Sequence, residues 1–398
     1  MSCVAKQSSR NNPRGLERQV SLTSDVLVVG GGPAGAAAAI WAAHCGLRVL
    51  LLERAKFPRH RPGETLHPGA ETIFKQLGVA EQVAVASGVR HQGQATGWAG
   101  RRSFAQFGAD AEGPWQGYQI LREQLDTILM ARARDLGVIV LQPQAAEEPI
   151  IRGGRVAGIR ARSDINAGFV VDATGMRGFL RRHLPLSEMT LSPPLRAYYG
   201  YGEGEIGESD VVPSLVGDER GWTWTAQIGP RSFIWTRLDF NAGRKPLEKP
   251  TLFRVQWHKS VRGANVTWRF VPASAGRGYF VAGDAAAVLD PAASHGVLRA
   301  LMSGIMAAHV ISNVTSGALT ENDGVRHYRG WVKTWFDHDV QRLRELYREL
   351  DPTLSWAIEA SANPTQRFAP SDSDSVAMAV PLAGGHTAGQ VSAAGDAV

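Results

Sequence analysis

The 398-residue sequence predicts an α/β fold in which a parallel sheet is interleaved with an antiparallel sheet and followed by C-terminal helices. Three observations support this prediction. A strand–glycine turn–helix–strand pattern occupies residues 25–53, tryptophan-rich segments of strand type lie within residues 186–271, and apolar residues recur at helical spacing after residue 320. A chain of this length can bury the cores of two intertwined domains.

The first element is the segment SDVLVVGGGPAGAAAAIWAAHCGLRVLLLER. An apolar strand over residues 25–29 runs into Gly30, Gly32 and Gly35, which have the G-x-G-x-x-G spacing. The first glycine permits a tight turn, the second lets backbone N–H groups approach a pyrophosphate, and the third lets the helix pack closely on the strand. Glu53 ends the second strand 23 residues after Gly30, where a carboxylate can bind ribose hydroxyls.

Four further segments follow in chain order. They are RPGETLHPGAETIFKQLG at residues 61–78, GYQILREQLDTILMARARDLGV at 117–138, PIIRGGRVAGIRARSDINAGFVVDATG at 149–175, and GRGYFVAGDAAAVLDPAASHGVLRALMSGIMAA at 276–308. The third predicts a hairpin that turns at Gly153 and Gly154 and is followed by a strand. Together with the first motif, these segments resemble those of FAD-dependent monooxygenases and tryptophan halogenases, in the same order.

The resemblance implies a Rossmann-like FAD-binding domain, an interleaved antiparallel-sheet substrate domain and C-terminal helices. In the family, the counterpart of Arg122 reaches the flavin nucleotide, the counterpart of Asp284 contacts the ribityl–pyrophosphate region, and the helix after His295 directs its dipole at the flavin ring. The residues expected at FAD are Gly30, Gly32, Pro33, Ala34, Gly35, Glu53, Arg54, Arg61, Arg122, Asp172, Gly175, Gly283, Asp284, Pro291, Gly296 and Val297.

The domain boundaries follow from these motifs. We expect a disordered N-terminal arm, a discontinuous FAD-binding domain, a substrate domain in two pieces, a C-terminal helical segment and a disordered tail. The arm comprises residues 1–24, and the FAD-binding domain comprises residues 25–90, 116–185 and 272–320. The substrate domain comprises residues 91–115 and 186–271, the helical segment residues 321–361, and the tail residues 362–398.

The substrate domain is rich in tryptophan. GWTWTAQIG (221–229) and RSFIWTRLDF (231–240) predict paired antiparallel strands, with Trp222 and Trp224 on one face. In the family, a sheet at this place covers the flavin. We therefore expect Trp222, Trp224, Trp235 and Ser294 at the substrate pocket, with packing in the core as the alternative for each tryptophan.

The sequence departs from the halogenases at three places. Ala226 and Gln227 replace the Ile-Pro of their W-x-W-x-I-P stretch, and Ala293 stands where they have a glutamate before the loop serine. Halogenases also carry a lysine roughly thirty residues after the Gly-Glu pair, whereas the only lysine here between Glu64 and position 150 is Lys75. The residues of halogenation chemistry are therefore absent.

The motifs are most similar to a branch of flavoprotein monooxygenases that act in the biogenesis of tryptophan-derived quinone cofactors. This similarity implies an FAD-dependent monooxygenase that hydroxylates an aromatic substrate through a C4a-hydroperoxyflavin. The substrate would be a tryptophan side chain of a partner protein or peptide, with O2 as co-substrate and electrons from NAD(P)H directly or through a flavin reductase. His295 and His67 are the candidate catalytic residues, because a neutral imidazole can bind the peroxide or accept the aromatic proton. For both histidines, helix capping or packing is the alternative.

Three other functions stay open: a flavin-dependent halogenase, a geranylgeranyl-reductase-like oxidoreductase, and a non-catalytic FAD-binding maturation partner. The net charge of +6 and the isoelectric point of about 9.5 fit a basic surface with anion-binding sites. Two cysteines without metal-ligand spacing predict no metal site and a reducing, cytoplasmic location. We expect no nucleic-acid partner. We also expect no membrane span, because three glycines and a proline interrupt the apolar stretch 26–47.

Overall fold

The computed structural model describes residues 22–98, 100–111, 113–205, 212–240, 249–252, 254–350 and 356. The predicted tail lies outside these residues, as does the predicted arm except for residues 22–24. Those three residues belong to the first strand, which begins three residues earlier than expected. Of the predicted segment 321–361, the structure describes residues 321–350 and Trp356.

The described residues form the following strands: β1 (Leu22–Val29), β2 (Val49–Leu52), β3 (Thr65–Leu66), β4 (Val89–His91), β5 (Gly93–Trp98), β6 (Arg101–Gln106), β7 (Ala109–Asp110), β8 (Gly113–Pro114), β9 (Gly117–Gln119), β10 (Ile139–Leu141), β11 (Glu148–Arg152), β12 (Arg155–Arg160), β13 (Asp164–Asp172), β14 (Met189–Thr190), β15 (Arg196–Gly204), β16 (Ser214–Asp218), β17 (Gly221–Gln227), β18 (Ser232–Asp239), β19 (Val255–Trp257), β20 (Arg262–Asn265), β21 (Arg269–Phe270), β22 (Ala275–Gly276), β23 (Tyr279–Val281) and β24 (Ala287–Val288). The α-helices are α1 (Pro33–His44), α2 (Ala70–Leu77), α3 (Ala80–Ala86), α4 (Arg122–Asp135), α5 (Phe179–His183), α6 (Gly296–Thr315) and α7 (Glu321–Leu350).

The first sheet has a parallel centre in the order β10-β2-β1-β13-β23. Residues 26–29 of β1 and all of β2 are buried apolar runs, as expected for a parallel sheet covered on both faces. The predicted hairpin at Gly153 and Gly154 is β11–β12, which continues the sheet beyond β13. This arrangement confirms the predicted α/β fold with a Rossmann-like domain.

The second sheet has the order β19-β15-β18-β17-β16-β5-β6, with β20 also paired to β15. Its neighbours are antiparallel except β5 and β16, which pair in parallel although more than one hundred residues separate them. The predicted pairing of GWTWTAQIG with RSFIWTRLDF is the β17–β18 ladder. The second sheet is therefore built from both of the chain segments assigned to the substrate domain.

Helices α1 and α6 cross in close contact. A Cβ on Gly304 would lie only 2.1 Å from the carbonyl oxygen of Ala34. Among the described helices, α6 is the one long and apolar enough to span a membrane, but more than half of its most apolar stretch is buried in the protein core. Helix α7 is the long amphipathic helix expected after residue 320. Its buried residues Tyr328, Val340 and Tyr347 belong to the main core.

Candidate active site

The carboxyl ends of the parallel strands meet at one edge of the first sheet. Val29 pairs with Leu52 on one side and with Asp172 on the other, and Asp172 pairs in turn with Val281. Because Gly30, Glu53 and Gly283 each come within two residues of these strand ends, the predicted cofactor residues gather where α/β sheets bind ligands.

The glycine turn has the geometry that a bound pyrophosphate requires. Gly30 has a φ of +104°, and a Cβ there would lie 2.4 Å from the carbonyl oxygen of Ala173. A Cβ on Gly35 would lie 1.8 Å from the carbonyl oxygen of Gly30. The nearest atom to a Cβ on Gly32, in contrast, is a guanidinium nitrogen of Arg59 at 3.5 Å, so this side of the turn is open and positively charged.

Glu53 is buried beside this turn. Its carboxylate accepts hydrogen bonds from the backbone N–H groups of Gly31 at 2.7 Å and Ala55 at 2.8 Å. These bonds fix the carboxylate at the end of β2, where remaining lone pairs can accept ribose hydroxyls.

Buried Asp126 orients two arginines near the turn. Arg122 donates to Asp126 at 3.1 Å and to the carbonyl oxygen of Pro62, and a guanidinium nitrogen of Arg59 lies 3.4 Å from the same carboxylate. Arg54 and Arg61 are exposed, and partial desolvation lowers the pKa of Arg54. The arginines give this edge the charge that attracts a phosphate-bearing cofactor.

Asp284 and Asp172 have different roles, although both were expected at the cofactor. The exposed side chain of Asp284 makes no hydrogen bond within the described part of the chain, and it lines a cavity of about 40 Å³ with Gly296 and Arg299. Asp172 instead accepts hydrogen bonds from Thr174 and from the N–H of Leu180. The Asp172 side chain therefore holds the turn containing Gly175, which has a φ of +66°, and the expected place of Asp172 at FAD stays a prediction.

The open glycine turn, the fixed Glu53 carboxylate and the unpartnered Asp284 carboxylate fit FAD. Gly30, Gly32, Gly35 and Glu53 would hold the nucleotide half, and Asp284 would hold the ribityl chain.

A loop leads from this edge into α6. Its carboxylate Asp290 is buried and accepts hydrogen bonds from Trp268 at 2.6 Å and from the N–H of Ala292 at 3.0 Å. Pro291 begins a 3-10 turn, Ser294 has a φ of +55°, and Gly296 begins the helix. Val297 lies 3.6 Å from the Cβ position of Gly63, so this loop contacts the Gly63-Glu64 motif.

The structure brings the two predicted catalytic histidines together and adds a third. The ring centroids of His295 and His67 are 5.9 Å apart, and Phe107 lies 5.1 Å from His67 and 5.4 Å from His91. Burial lowers the pKa values of His67 and His91 to about 4, so both rings are neutral near pH 7. We call His67, His91 and His295 the histidine cluster. Within the described chain, no group of His, Cys, Asp or Glu side chains could hold a metal ion.

Comparison with known proteins identifies the family. A family model described as an FAD binding domain matches residues 23–269. The chain belongs to this FAD-binding family. It is therefore placed among FAD-dependent oxidoreductases, and the expectation of FAD as the cofactor is confirmed.

Relatives of this FAD-binding protein include both halogenases and reductases. Flavin-dependent halogenase armH3 of Armillaria mellea is 25% identical over 84% of this chain and 76% of its own length. Tryptophan 2-halogenase of Chondromyces crocatus is 27% identical over 78% of this chain and 65% of its own length. Menaquinone reductase of Mycolicibacterium smegmatis is 27% identical over 75% of this chain and 78% of its own length.

Solved structures show the same fold. The flavin-dependent brominase Bmp2 matches with a TM-score of 0.72 and 21% identity over 86% of this chain and 90% of the brominase. The myxobacterial chondrochloren halogenase CndH matches with a TM-score of 0.70 and 24% identity, over 82% of this chain and 80% of the halogenase.

The tryptophans of this FAD-binding protein divide between the two faces of the second sheet. Trp222 is fully buried and donates a hydrogen bond to Tyr347. Trp224, two residues on, shares that face and is partly buried against the apolar cluster of Ala226, Ile228 and Ile234. Trp235 is fully buried on the opposite face against Trp257. Trp222 and Trp235 thus pack in the core, which is the alternative given for each tryptophan. The place of Trp222, Trp224, Trp235 and exposed Ser294 at the substrate pocket stays a prediction.

Sequence reasoning missed several residues of the site. Glu64 is buried and accepts a hydrogen bond from the Tyr201 hydroxyl at 2.6 Å, and burial raises the pKa of this carboxyl. This bond ties the Gly-Glu motif to the second sheet. Asp339 on α7 lies 3.5 Å from His295, and His91 joins the cluster at the end of β4. Tyr201, His91 and Asp339 carry no local motif, so only the folded chain reveals them.

Proposed function

We propose that this protein is an FAD-dependent monooxygenase that hydroxylates an electron-rich aromatic ring. The histidine cluster beside the loop into α6 supports this proposal most directly. Lys75, the lysine nearest to the motif, is exposed on α2 and paired with Glu71 at 3.1 Å, and Ala293 replaces the halogenase glutamate. The site therefore presents the neutral imidazoles of His67 and His91 and lacks the lysine and the glutamate that halogenation would need.

The chain's residues have separable roles in the proposed reaction. Reduced FAD, when bound, would activate O2 and supply the oxygen atom. The second sheet would cover the ring and exclude water, with Trp224 and Ser294 beside the substrate. His295 would accept the proton that the aromatic carbon loses, while neutral His67 would donate a hydrogen bond from Nε2, since its Nδ1 accepts the N–H of Gly69 at 3.0 Å.

The proposed substrate is the indole of a tryptophan in a protein or peptide that matures into a quinone cofactor. The motif similarity and the basic surface of the chain support a macromolecular partner, which such a surface would attract if it is acidic. We further propose a cytoplasmic location and electrons from NAD(P)H, directly or through a flavin reductase.

The decisive experiment measures products. FAD-loaded protein is supplied with NADPH or NADH, with and without an added flavin reductase, together with O2 and a tryptophan-containing peptide, in buffers with and without chloride or bromide. We expect oxygen incorporation that is independent of halide, detected by mass spectrometry with ¹⁸O2.

A halogen isotope pattern in the product would overturn the monooxygenase proposal in favour of a halogenase, the activity named for several relatives. Reduction of a quinone or isoprenoid without oxygen incorporation would favour a reductase, as the menaquinone reductases suggest. Bound FAD that neither reduces nor reacts with O2 would indicate a non-catalytic maturation partner.

A further inference from the structure

Helix α7 places a buried carboxylate against the loop that enters α6. The Asp339 side chain is 2% exposed, and His295 Nδ1 lies 3.5 Å from its Oδ1. His338 Nδ1 lies 3.4 Å from the same oxygen, and Arg299 Nε lies 3.2 Å from Oδ2. These three groups lower the pKa of Asp339 despite its burial, so it is a carboxylate at neutral pH.

This contact determines which nitrogen of His295 faces the site. A carboxylate accepts the hydrogen of Nδ1, so the neutral ring keeps that hydrogen and presents an unprotonated Nε2. The separation of 3.5 Å is long for a hydrogen bond, and such contacts commonly tighten when ligands bind. The ring edge of His295 meets His67, which is neutral and competes for no proton near pH 7.

We propose that Asp339 is a positioning residue that holds His295 as the Nδ1–H tautomer, and that Nε2 of His295 is the base for aromatic proton removal. This proposal rests on the proposed monooxygenase function. In the step, the C–H bond at the oxygenated carbon breaks, its proton passes to His295 Nε2, and its electron pair returns to the ring. The carboxylate then stabilises the imidazolium, so no further oxidant or reductant is needed.

The charged and titratable groups around this pair are few. Arg299 faces Asp339 from α6 and His338 faces it from α7, while Arg342 acts electrostatically on His67. Arg299 neutralises the carboxylate in part but cannot orient an imidazole. Because His338 is exposed, it can be substituted separately from His295. Such a substitution distinguishes the two histidines that face Oδ1 of Asp339.

The first test needs no substrate. In FAD-loaded protein labelled with ¹⁵N-histidine, the ring of His295 is identified by the signal lost in His295→Gln. We expect the Nδ1–H tautomer in the wild type and its loss in Asp339→Asn, with His338→Gln unchanged. An Nε2–H tautomer in the wild type would overturn the proposal, and this reading stands even if Asp339→Asn does not fold.

The second test measures turnover of the tryptophan peptide with each variant. We expect Asp339→Asn to lower kcat by about 10- to 100-fold with KM nearly unchanged, as for other residues that orient a catalytic group. The control Asp337→Asn removes an exposed carboxylate from the same helix and should keep full activity. His295→Asn, which keeps a donor toward Asp339 but lacks Nε2, should be at least as slow as Asp339→Asn.

Unchanged turnover in Asp339→Asn would overturn the positioning role while leaving the monooxygenase intact. Absence of any oxygenated product with the wild type, together with the expected tautomer, would overturn the proposed function and leave the Asp339–His295 pairing established. The two failures are therefore distinguishable.

Discussion

The indole nitrogen of Trp268 donates a hydrogen bond to the carboxylate of Asp290 at 2.6 Å. Both side chains are buried, and the Tyr347 hydroxyl of α7 interacts with the same carboxylate. Tyr347 also stacks on Trp268 with ring centroids 5.8 Å apart and accepts a hydrogen bond from Trp222. The loop that carries His295 is therefore fixed by Trp268 and by α7, and Trp222 of β17 ties α7 to the second sheet.

The bond between Trp222 and Tyr347 predicts a measurable coupling. Trp222→Phe and Tyr347→Phe should each lower the free energy of unfolding by about 1–3 kcal/mol, because Tyr347→Phe leaves the buried indole N–H of Trp222 without a partner and Trp222→Phe removes the donor to the buried Tyr347 hydroxyl. In a double-mutant cycle the pair should show a coupling of at least about 0.5 kcal/mol, measured by urea unfolding followed by circular dichroism.

The matched control for this cycle is Trp224→Phe, on the same face but without a bond to Tyr347. Its effect should add to that of Tyr347→Phe. If the effects of Trp222→Phe and Tyr347→Phe are also additive, the hydrogen bond between these residues does not contribute to the free energy of unfolding.

The glycine turn predicts a sharp loss of FAD binding on adding one methyl group. Gly35→Ala places a Cβ 1.8 Å from the carbonyl oxygen of Gly30, so the turn must open or the helix must move. We expect FAD affinity to fall by more than about 100-fold in a fluorescence titration, equivalent to about 3 kcal/mol. Gly330→Ala, which meets no atom within 4 Å on α7, should bind FAD normally; equal affinity in both variants would refute the role of Gly35.

The parts of the fold that sequence could predict are those set by local pattern. The strand–turn–helix around Gly30, the β17–β18 ladder and the long helix α7 follow from spacing and periodicity. The parallel pairing of β5 with β16 could not be predicted, because the two strands are distant in sequence and neither carries a signal for its partner.

For the site, the sequence predicted residues within motifs but not their environment. It identified His67 and His295 from their places beside the Gly63-Glu64 motif and the loop into α6, yet Asp339 reaches His295 only through the packing of α7 on that loop. The motif aspartates Asp172 and Asp284 were both expected at FAD, and only the hydrogen bonds of the folded chain distinguish their surroundings. Burial of Trp235 likewise depended on which sheet face the core covers.

Glu53 offers a test of the nucleotide end that preserves shape. In Glu53→Gln one oxygen becomes an NH2 group, which cannot accept from Gly31 or Ala55. We expect the FAD dissociation constant to rise by about 10- to 100-fold, in line with the 1.5–3 kcal/mol or so of a hydrogen bond to a charged group. The control Glu147→Gln changes an exposed residue just before β11 and should leave the FAD dissociation constant unaltered. An unaltered constant for Glu53→Gln would contradict the assignment of Glu53 to the nucleotide half of FAD.

The buried histidines predict how stability depends on pH. Their folded-state pKa of about 4 lies below the unfolded value of 6.5, so the unfolded chain binds more protons between these limits. Stability should therefore be fully present above pH 6.5 and fall as pH drops toward 4, by up to about 3 kcal/mol for each histidine.

His91→Phe should remove the share of this pH dependence that His91 contributes, because the phenyl ring fills the space beside Phe107 and carries no proton. The measurement is chemical unfolding at a series of pH values, with the exposed His258→Gln as the control that keeps the wild-type slope. Parallel curves for His91→Phe and the wild type would show that His91 is not held neutral by burial.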